Sequence, residues 1–318
     1  MSESNDRIRN ALAKGLRKGL SGYIWLLKIL LPVSLATALI DYSGWLHQLD
    51  FLLKPVMAVM SLPPAAALPI LIGLTAGIYG CLAAMAVLPL SVEHMTLITV
   101  FVLNAHNLPQ EGIIQAKSGI NFVKTTLVRL AAAVLTCLAV AWWLQPAPAE
   151  AAAASAGLRE WSSAWPFLQD WLGGMLRLCA KILVIVIGVM TLIELMKEFN
   201  LVDVFVRLLA PVLRLMGLHQ RAGVLWLTGV LFGLAYGGAV IVEESRDLRL
   251  SPEEVEKLQL SIGINHSMIE DPLLFLPLGV SPFWLWVPRL AAAVAAVYLT
   301  AVWFKFKRAF ERKTLLGS

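Results

Sequence analysis

Apolar residues run in long blocks along this chain. Six blocks are long enough to cross about 30 Å of hydrocarbon as helices. They lie near 23–45, 66–90, 122–144, 172–196, 222–242 and 283–304. After the second and fifth blocks the pattern changes. Ser251-Pro252-Glu253-Glu254 is a helix start, with a Ser cap, Pro at the first helical position and a Glu to close a capping box. Ser91-Val92-Glu93-His94 is its weaker counterpart. Apolar runs follow through Leu97–Leu103 and Leu258–Ile264. Each stops at a polar cluster that carries a proline: Asn104 to Glu111 in one case, Asn265 to Pro272 in the other. Such a break at membrane depth is tolerated only where it lines a cavity or is packed in protein. The pattern therefore predicts re-entrant hairpins over 91–121 and 251–281. Segments 46–60 and 200–216 are amphipathic and are predicted to lie along the two membrane interfaces.

Composition agrees with the blocks. Of 318 residues, 58% are apolar and only 15% charged, against about 25% charged in a soluble domain. Mean hydropathy is +0.75. A soluble enzyme, a disordered chain and a fibrous repeat are all disfavoured. Net charge is +5, which in a membrane protein reflects basic cytoplasmic loops and does not imply nucleic acid. Cys81, Cys137 and Cys179 all fall in apolar stretches, so no disulfide framework is expected.

Charge also predicts orientation. Arg7, Arg9, Lys14, Arg17 and Lys18 precede the first block, and Lys305, Lys307, Arg308, Arg312 and Lys313 follow the last. Both termini are read as cytoplasmic, as is 197–221. The acidic connection 243–281 and the Ala/Pro-rich linker 146–170 are read as external. Trp45, Trp142, Trp143, Trp161, Trp165, Trp171, Trp284 and Trp286 then form an outer aromatic belt. Lys28, Lys181, Arg129 and Arg289 near span ends are read as snorkelling. A signal peptide at the start is disfavoured, because Lys28 interrupts its apolar run.

The chain repeats itself. The string RLAAAV at 129–134 recurs at 289–294, a shift of 160. In the same register Gly73, Leu74, Gly77, Ser91, Glu93, His106 and Gly119 match Gly233, Leu234, Gly237, Ser251, Glu253, His266 and Gly279. Tyr79-Gly80-Cys81 also resembles Tyr236-Gly237-Gly238 about one turn out of that register. Three spans per copy invert the second copy relative to the first, an arrangement common in secondary transporters. The expected fold is an all-α polytopic membrane protein of two inverted-topology repeats. Each repeat holds three transmembrane helices, a re-entrant hairpin and an interfacial amphipathic helix. The segments are a basic cytoplasmic start (1–22), repeat one (23–145), the external linker (146–170), repeat two (171–306) and a basic cytoplasmic tail (307–318).

The breaks hold the chemistry. His106 and His266 are sequence mates, as are Glu111 and Asp271. Asn107, Asn265 and Glu270 stand beside them. Two readings are open: helix caps and water-facing carboxylates, or a binding site where the breaks meet. Capping does not require His. On the second reading His106, Asn107, Glu111, Asn265, His266, Glu270 and Asp271 contact the substrate, and His106, His266, Glu270 and Asp271 are candidate metal ligands. The glycines of the second and fifth blocks serve either close helix packing or a broken helix.

At these residues the chain resembles the Gate, or nucleoside recognition, family, as two Gate-like copies. Similar units occur in concentrative nucleoside transporters, Feo-type ferrous iron transporters and spore maturation membrane proteins. Gly77-Ile78-Tyr79-Gly80-Cys81 is similar to the Gly-Cys stretch of the iron transporters, without the Pro that follows it there. No GxxxxGK[ST] loop is present. The resemblance implies an alternating-access transporter in a bacterial inner membrane, carrying either a nucleoside-like solute or a divalent metal. The spore-maturation likeness implies the alternative of a non-transporting scaffold. No catalytic spacing appears, so an enzyme is not expected. The expected partners are the bilayer, the solute or ion and a second copy of the chain. No cofactor is implied beyond a divalent metal or a coupling cation.

Overall fold

The computed structural model describes residues 2–48, 50–147, 163–199 and 250–316, with scattered positions between 201 and 234. Within these residues the chain is helical. The elements are α1 (Ser2–Tyr42), α2 (Trp45–Gln48), α3 (Asp50–Val59), α4 (Ala67–Ala76), α5 (Ile78–Met85), α6 (Val92–Asn104), α7 (Leu108–Lys117), α8 (Phe122–Leu144), α9 (Ala164–Glu198), α10 (Pro252–Ile264), α11 (Glu270–Leu273) and α12 (Pro282–Leu316). The predicted block 222–242, the amphipathic segment 200–216 and most of the linker 146–170 lie wholly or largely outside the described residues.

Four helices among the described residues are long and apolar enough to cross a membrane: α1, α8, α9 and α12. The basic start (1–22) is helical from residue 2 and continuous with α1, and α12 runs on into the basic tail as far as Leu316. Likewise the last residues of the predicted linker belong to α9, which begins at Ala164. Helices α1 and α9 pack antiparallel. Gly15 lies against Thr191 and Gly19 against Ile187, where a side chain would collide with the facing backbone. Lys18 pairs with Glu194 at 2.8 Å and Arg7 with Glu198 at 3.0 Å. At the other end the Tyr42 and Phe167 rings lie 4.7 Å apart.

The predicted span 66–90 and the predicted hairpin 91–121 exchange roles. Residues 66–90 do not form one crossing helix. At Gly77 the backbone takes φ +91° and ψ −176°, a region essentially confined to glycine. The chain then doubles back. A Cβ on Gly73 would lie 3.3 Å from Cβ of Cys81, whereas residues eight apart in one helix are about 12 Å apart. So α4 and α5 form a helical hairpin. Each is too short to span about 30 Å at about 1.5 Å per residue. Hydropathy cannot separate these cases, because a buried hairpin and a crossing helix are equally apolar.

Segment 91–121, in turn, traverses the molecule as a broken span. Cys137 of α8 faces the Leu97 carbonyl at 3.8 Å and Arg129 the His106 carbonyl at 2.9 Å. Thr125 bonds Gln115 at 2.8 Å. Partner numbers fall along α8 as its own rise, so α6 and α7 run antiparallel to α8 from one end to the other. The second copy behaves likewise, since α10 begins beside α7 and α8. A Cβ on Gly119 would touch Val255, and Lys124 pairs with Glu256. Arg308 of α12 meets Glu253 at 3.2 Å.

This last pair corrects the orientation reading. Glu253 and Glu256 share an end of the molecule with Lys124 and the basic tail, not the opposite end. Acidic residues contribute little to membrane orientation, which follows Lys and Arg. The caps form as expected: Ser91 accepts from the His94 amide at 3.2 Å, and Ser251 and Glu254 form the reciprocal capping box.

Candidate functional site

Both broken spans stop in the same way. Beyond the ends of α6 and α10, Asn107 and Ser267 take left-handed backbone angles, φ +46° and +49°. Their amides are satisfied by the neighbouring helix. Asn107 N–H donates to the Gly73 carbonyl at 2.9 Å, and Ser267 N–H to the Gly229 carbonyl at 3.2 Å. Breaks at membrane depth survive when their polar groups are met in this way. Gly77 and Gly233 share a positive φ, +91° and +74°. This fixes the register. At the turn, Gly77 pairs with Gly233 and Gly73 with Gly229, one helical turn from the matches read in the sequence. From Ser91 onward the shift of 160 holds. Both readings of the glycines are realised: Gly73 and Gly229 sit against Val102 and Ile262 with no room for a side chain, and Gly77 makes the turn.

The two breaks meet. His106 Nε2 and His266 Nε2 are 3.1 Å apart, and each lies 3.2 Å from Glu111 Oε1. Asp271 Oδ2 is 3.6 Å from His106 Nε2. All four residues are buried. The opposite edge of each ring is fixed by the end of its own helix. His106 Nδ1 lies 2.9 Å from the Val102 carbonyl, and His266 Nδ1 3.0 Å from the Ile262 carbonyl. A ring nitrogen facing a carbonyl must carry the hydrogen. In the neutral rings both Nε2 atoms therefore present lone pairs to the centre. His106, His266 and Asp271 offer ligand atoms within 4.8 Å of one another.

Other predicted site residues stand apart. Glu270 accepts a hydrogen bond from the Tyr79 hydroxyl at 2.7 Å, which ties α11 to the α4–α5 hairpin. Asn107 donates through its side chain to Gln110 at 3.0 Å. Asn265 is buried, and its amide has no hydrogen-bond partner among the described residues. The Cys81 thiol faces Met85 Sδ at 3.5 Å.

The expected snorkelling of Arg129 and Arg289 is overturned. Both are fully buried. Arg129 Nη2 is 2.8 Å from Glu111 Oε2 and donates to the His106 carbonyl at 2.9 Å. Arg289 Nε donates to the Ile264 carbonyl at 2.6 Å. The signal was present in RLAAAV, where both copies place an arginine in the second turn of a membrane helix. The Trp286 indole donates to the Met268 carbonyl at 2.7 Å.

This turn, broken span and buried arginine fall within a segment that matches a known family, described as nucleoside recognition. The match to that family's model, Gate, spans residues 23–141. The matched segment holds His106, Glu111 and Arg129, while His266, Asp271 and Arg289 lie beyond it. Over 300 residues the chain is 29% identical to the uncharacterized membrane protein YvoD of Bacillus subtilis (strain 168), covering 92% of this chain and 95% of that protein. No solved structure matches.

Proposed function

We propose that the protein is a bacterial inner-membrane transporter that carries a small ion or polar solute by alternating access. Its transit site is the cluster of His106, His266, Glu111 and Asp271. The carrying observation is the 3.1 Å approach of His106 and His266 across the two breaks, because a site built equally from both halves is what a rocking pair of repeats requires. On this reading residues 23–145 and 171–306 are two Gate-like repeats of opposite orientation. Each crosses three times: α1, α6 with α7, and α8 in the first; α9, α10 with α11, and α12 in the second. The antiparallel packing of α1 on α9 supports this. Both termini are cytoplasmic and 146–170 external. The Tyr79–Glu270 contact joins a hairpin of one repeat to the broken span of the other, and so acts as a gate.

Alternating access has a direct test. A single cysteine at Gln110, in a variant with the three native cysteines replaced, is treated with an impermeant maleimide in right-side-out and inside-out vesicles. The account expects reaction from both sides. Reaction confined to one side in every condition contradicts it.

A further inference from the structure

We infer that the His106–His266 cluster is a four-coordinate site for a divalent transition metal of the zinc class. The ion's role as cargo rests on the transport reading above; its binding does not. The first ground is distance. Zinc bonds to imidazole and carboxylate at about 2.0–2.1 Å, so adjacent ligand atoms of a regular tetrahedron are about 3.3 Å apart. The measured edges are 3.1 Å between the imidazoles, 3.2 Å from each to Glu111 Oε1 and 3.6 Å from His106 to Asp271 Oδ2.

The second ground is the direction of the lone pairs. The two imidazole lone pairs face each other and Glu111 Oε1, 3.2 Å from each, while Asp271 Oδ2 lies 3.6 Å from His106 Nε2. Four acceptors in a dry interior repel unless a cation sits among them. A lone proton between the rings would satisfy the imidazole contact but would leave Asp271 Oδ2 without a hydrogen-bond partner among the described residues. A metal there would engage both rings and Asp271, whose ligand atoms lie within 4.8 Å of one another.

The third ground is the surrounding shell. Metal-bound histidines donate their remaining N–H to a carbonyl or carboxylate. Both rings do so, towards Val102 and Ile262. Arg129 holds Glu111 Oε2 at 2.8 Å and so leaves Oε1 turned inward. Imidazole favours zinc, copper, nickel or iron over magnesium and calcium, which demand six or more oxygens. Arg129 and Arg289 balance the two carboxylates, so a dication meets a cage with no net charge. That lowers affinity, as release on the far side requires. The ligand set is therefore His106, His266 and Asp271, with Glu111 Oε1 beside the rings, and without Glu270, which Tyr79 holds.

The test uses the full chain in detergent, stripped with chelator and titrated with Co2+, then with Zn2+ in competition. The expected result is one equivalent per chain, with the intense visible absorption of four-coordinate cobalt displaced by zinc. His106→Gln and His266→Gln should each weaken binding by at least about a hundredfold, more than an outer partner would. Zinc K-edge absorption of the wild-type protein should count two imidazoles, which holds the test even if a variant does not fold. No uptake by the wild type, a six-coordinate cobalt spectrum, fewer than two imidazoles, or folded variants that bind as tightly as the wild type would each overturn the site. Binding without flux retains the site and removes the transport reading; flux of uridine without metal binding does the reverse.

Discussion

Arg129 and Arg289 occupy matched positions in the two copies, and both are fully buried, yet only Arg129 grips a carboxylate. Its guanidinium lies 2.8 Å from Glu111, while Arg289 Nη1 and Nη2 have no hydrogen-bond partner among the described residues. Two copies of one sequence thus hold two local states. On the alternating-access reading proposed above, the opposite-facing state would exchange them, with Arg289 gripping Asp271 and Arg129 releasing Glu111.

That asymmetry predicts unequal costs. Arg129→Met strands a buried Glu111 carboxylate and should cost about 3–5 kcal/mol. Arg289→Met removes one charged hydrogen bond and should cost about 1.5–3 kcal/mol. Denaturant unfolding in detergent measures both, and equal losses would remove the asymmetry.

Glu270 and Asp271 are neighbours in sequence but not in role. Asp271→Asn should abolish ligand-induced stabilisation in a thermal-shift assay. Glu270→Gln should leave it, while shifting the rate of access through the Tyr79 contact. A saturating ligand at 100 times its dissociation constant adds about 2.7 kcal/mol, large enough to separate the two outcomes.

The turn at Gly77 makes the hairpin. Gly77→Ala forces a side chain into a glycine-only region and should cost about 1–3 kcal/mol. Gly173 in α9, with open space around it, is the contrast. There Ala should gain about 0.5–1 kcal/mol. Thermal unfolding of the two variants should move in opposite directions.

Much of this was legible before any coordinates. The repeat placed His106 opposite His266 and Glu111 opposite Asp271, because matched polar residues in apolar surroundings are rarely accidental. The Ser91 cap and the Ser251–Glu254 capping box gave the starts of α6 and α10. Which apolar block crosses was not legible. One glycine angle turned 66–90 back on itself, and no hydropathy pattern encodes φ. The choice of Asp271 over Glu270 was hidden too, since adjacent residues point about 100° apart around a helical turn and only the packed structure says which faces the centre. Arg129 was misread because an arginine near a helix end snorkels by default, until a buried carboxylate appears beside it.

The corrected topology is open to labelling in cells. A cysteine at Glu254 should share its side with the N-terminus, and one within 146–170 should lie on the other. Finding both cysteines on the same side would contradict the arrangement of the broken spans.

The central claim is that a solute passes through the His106–His266 pair. Its most direct test is counterflow into proteoliposomes, with radiolabelled zinc and uridine run side by side. The account predicts saturable zinc accumulation by the wild-type protein, lost in the folded His106→Gln, His266→Gln double variant, and no uridine accumulation. It is contradicted if neither solute accumulates above empty liposomes, or if the double variant accumulates zinc as fast as the wild type.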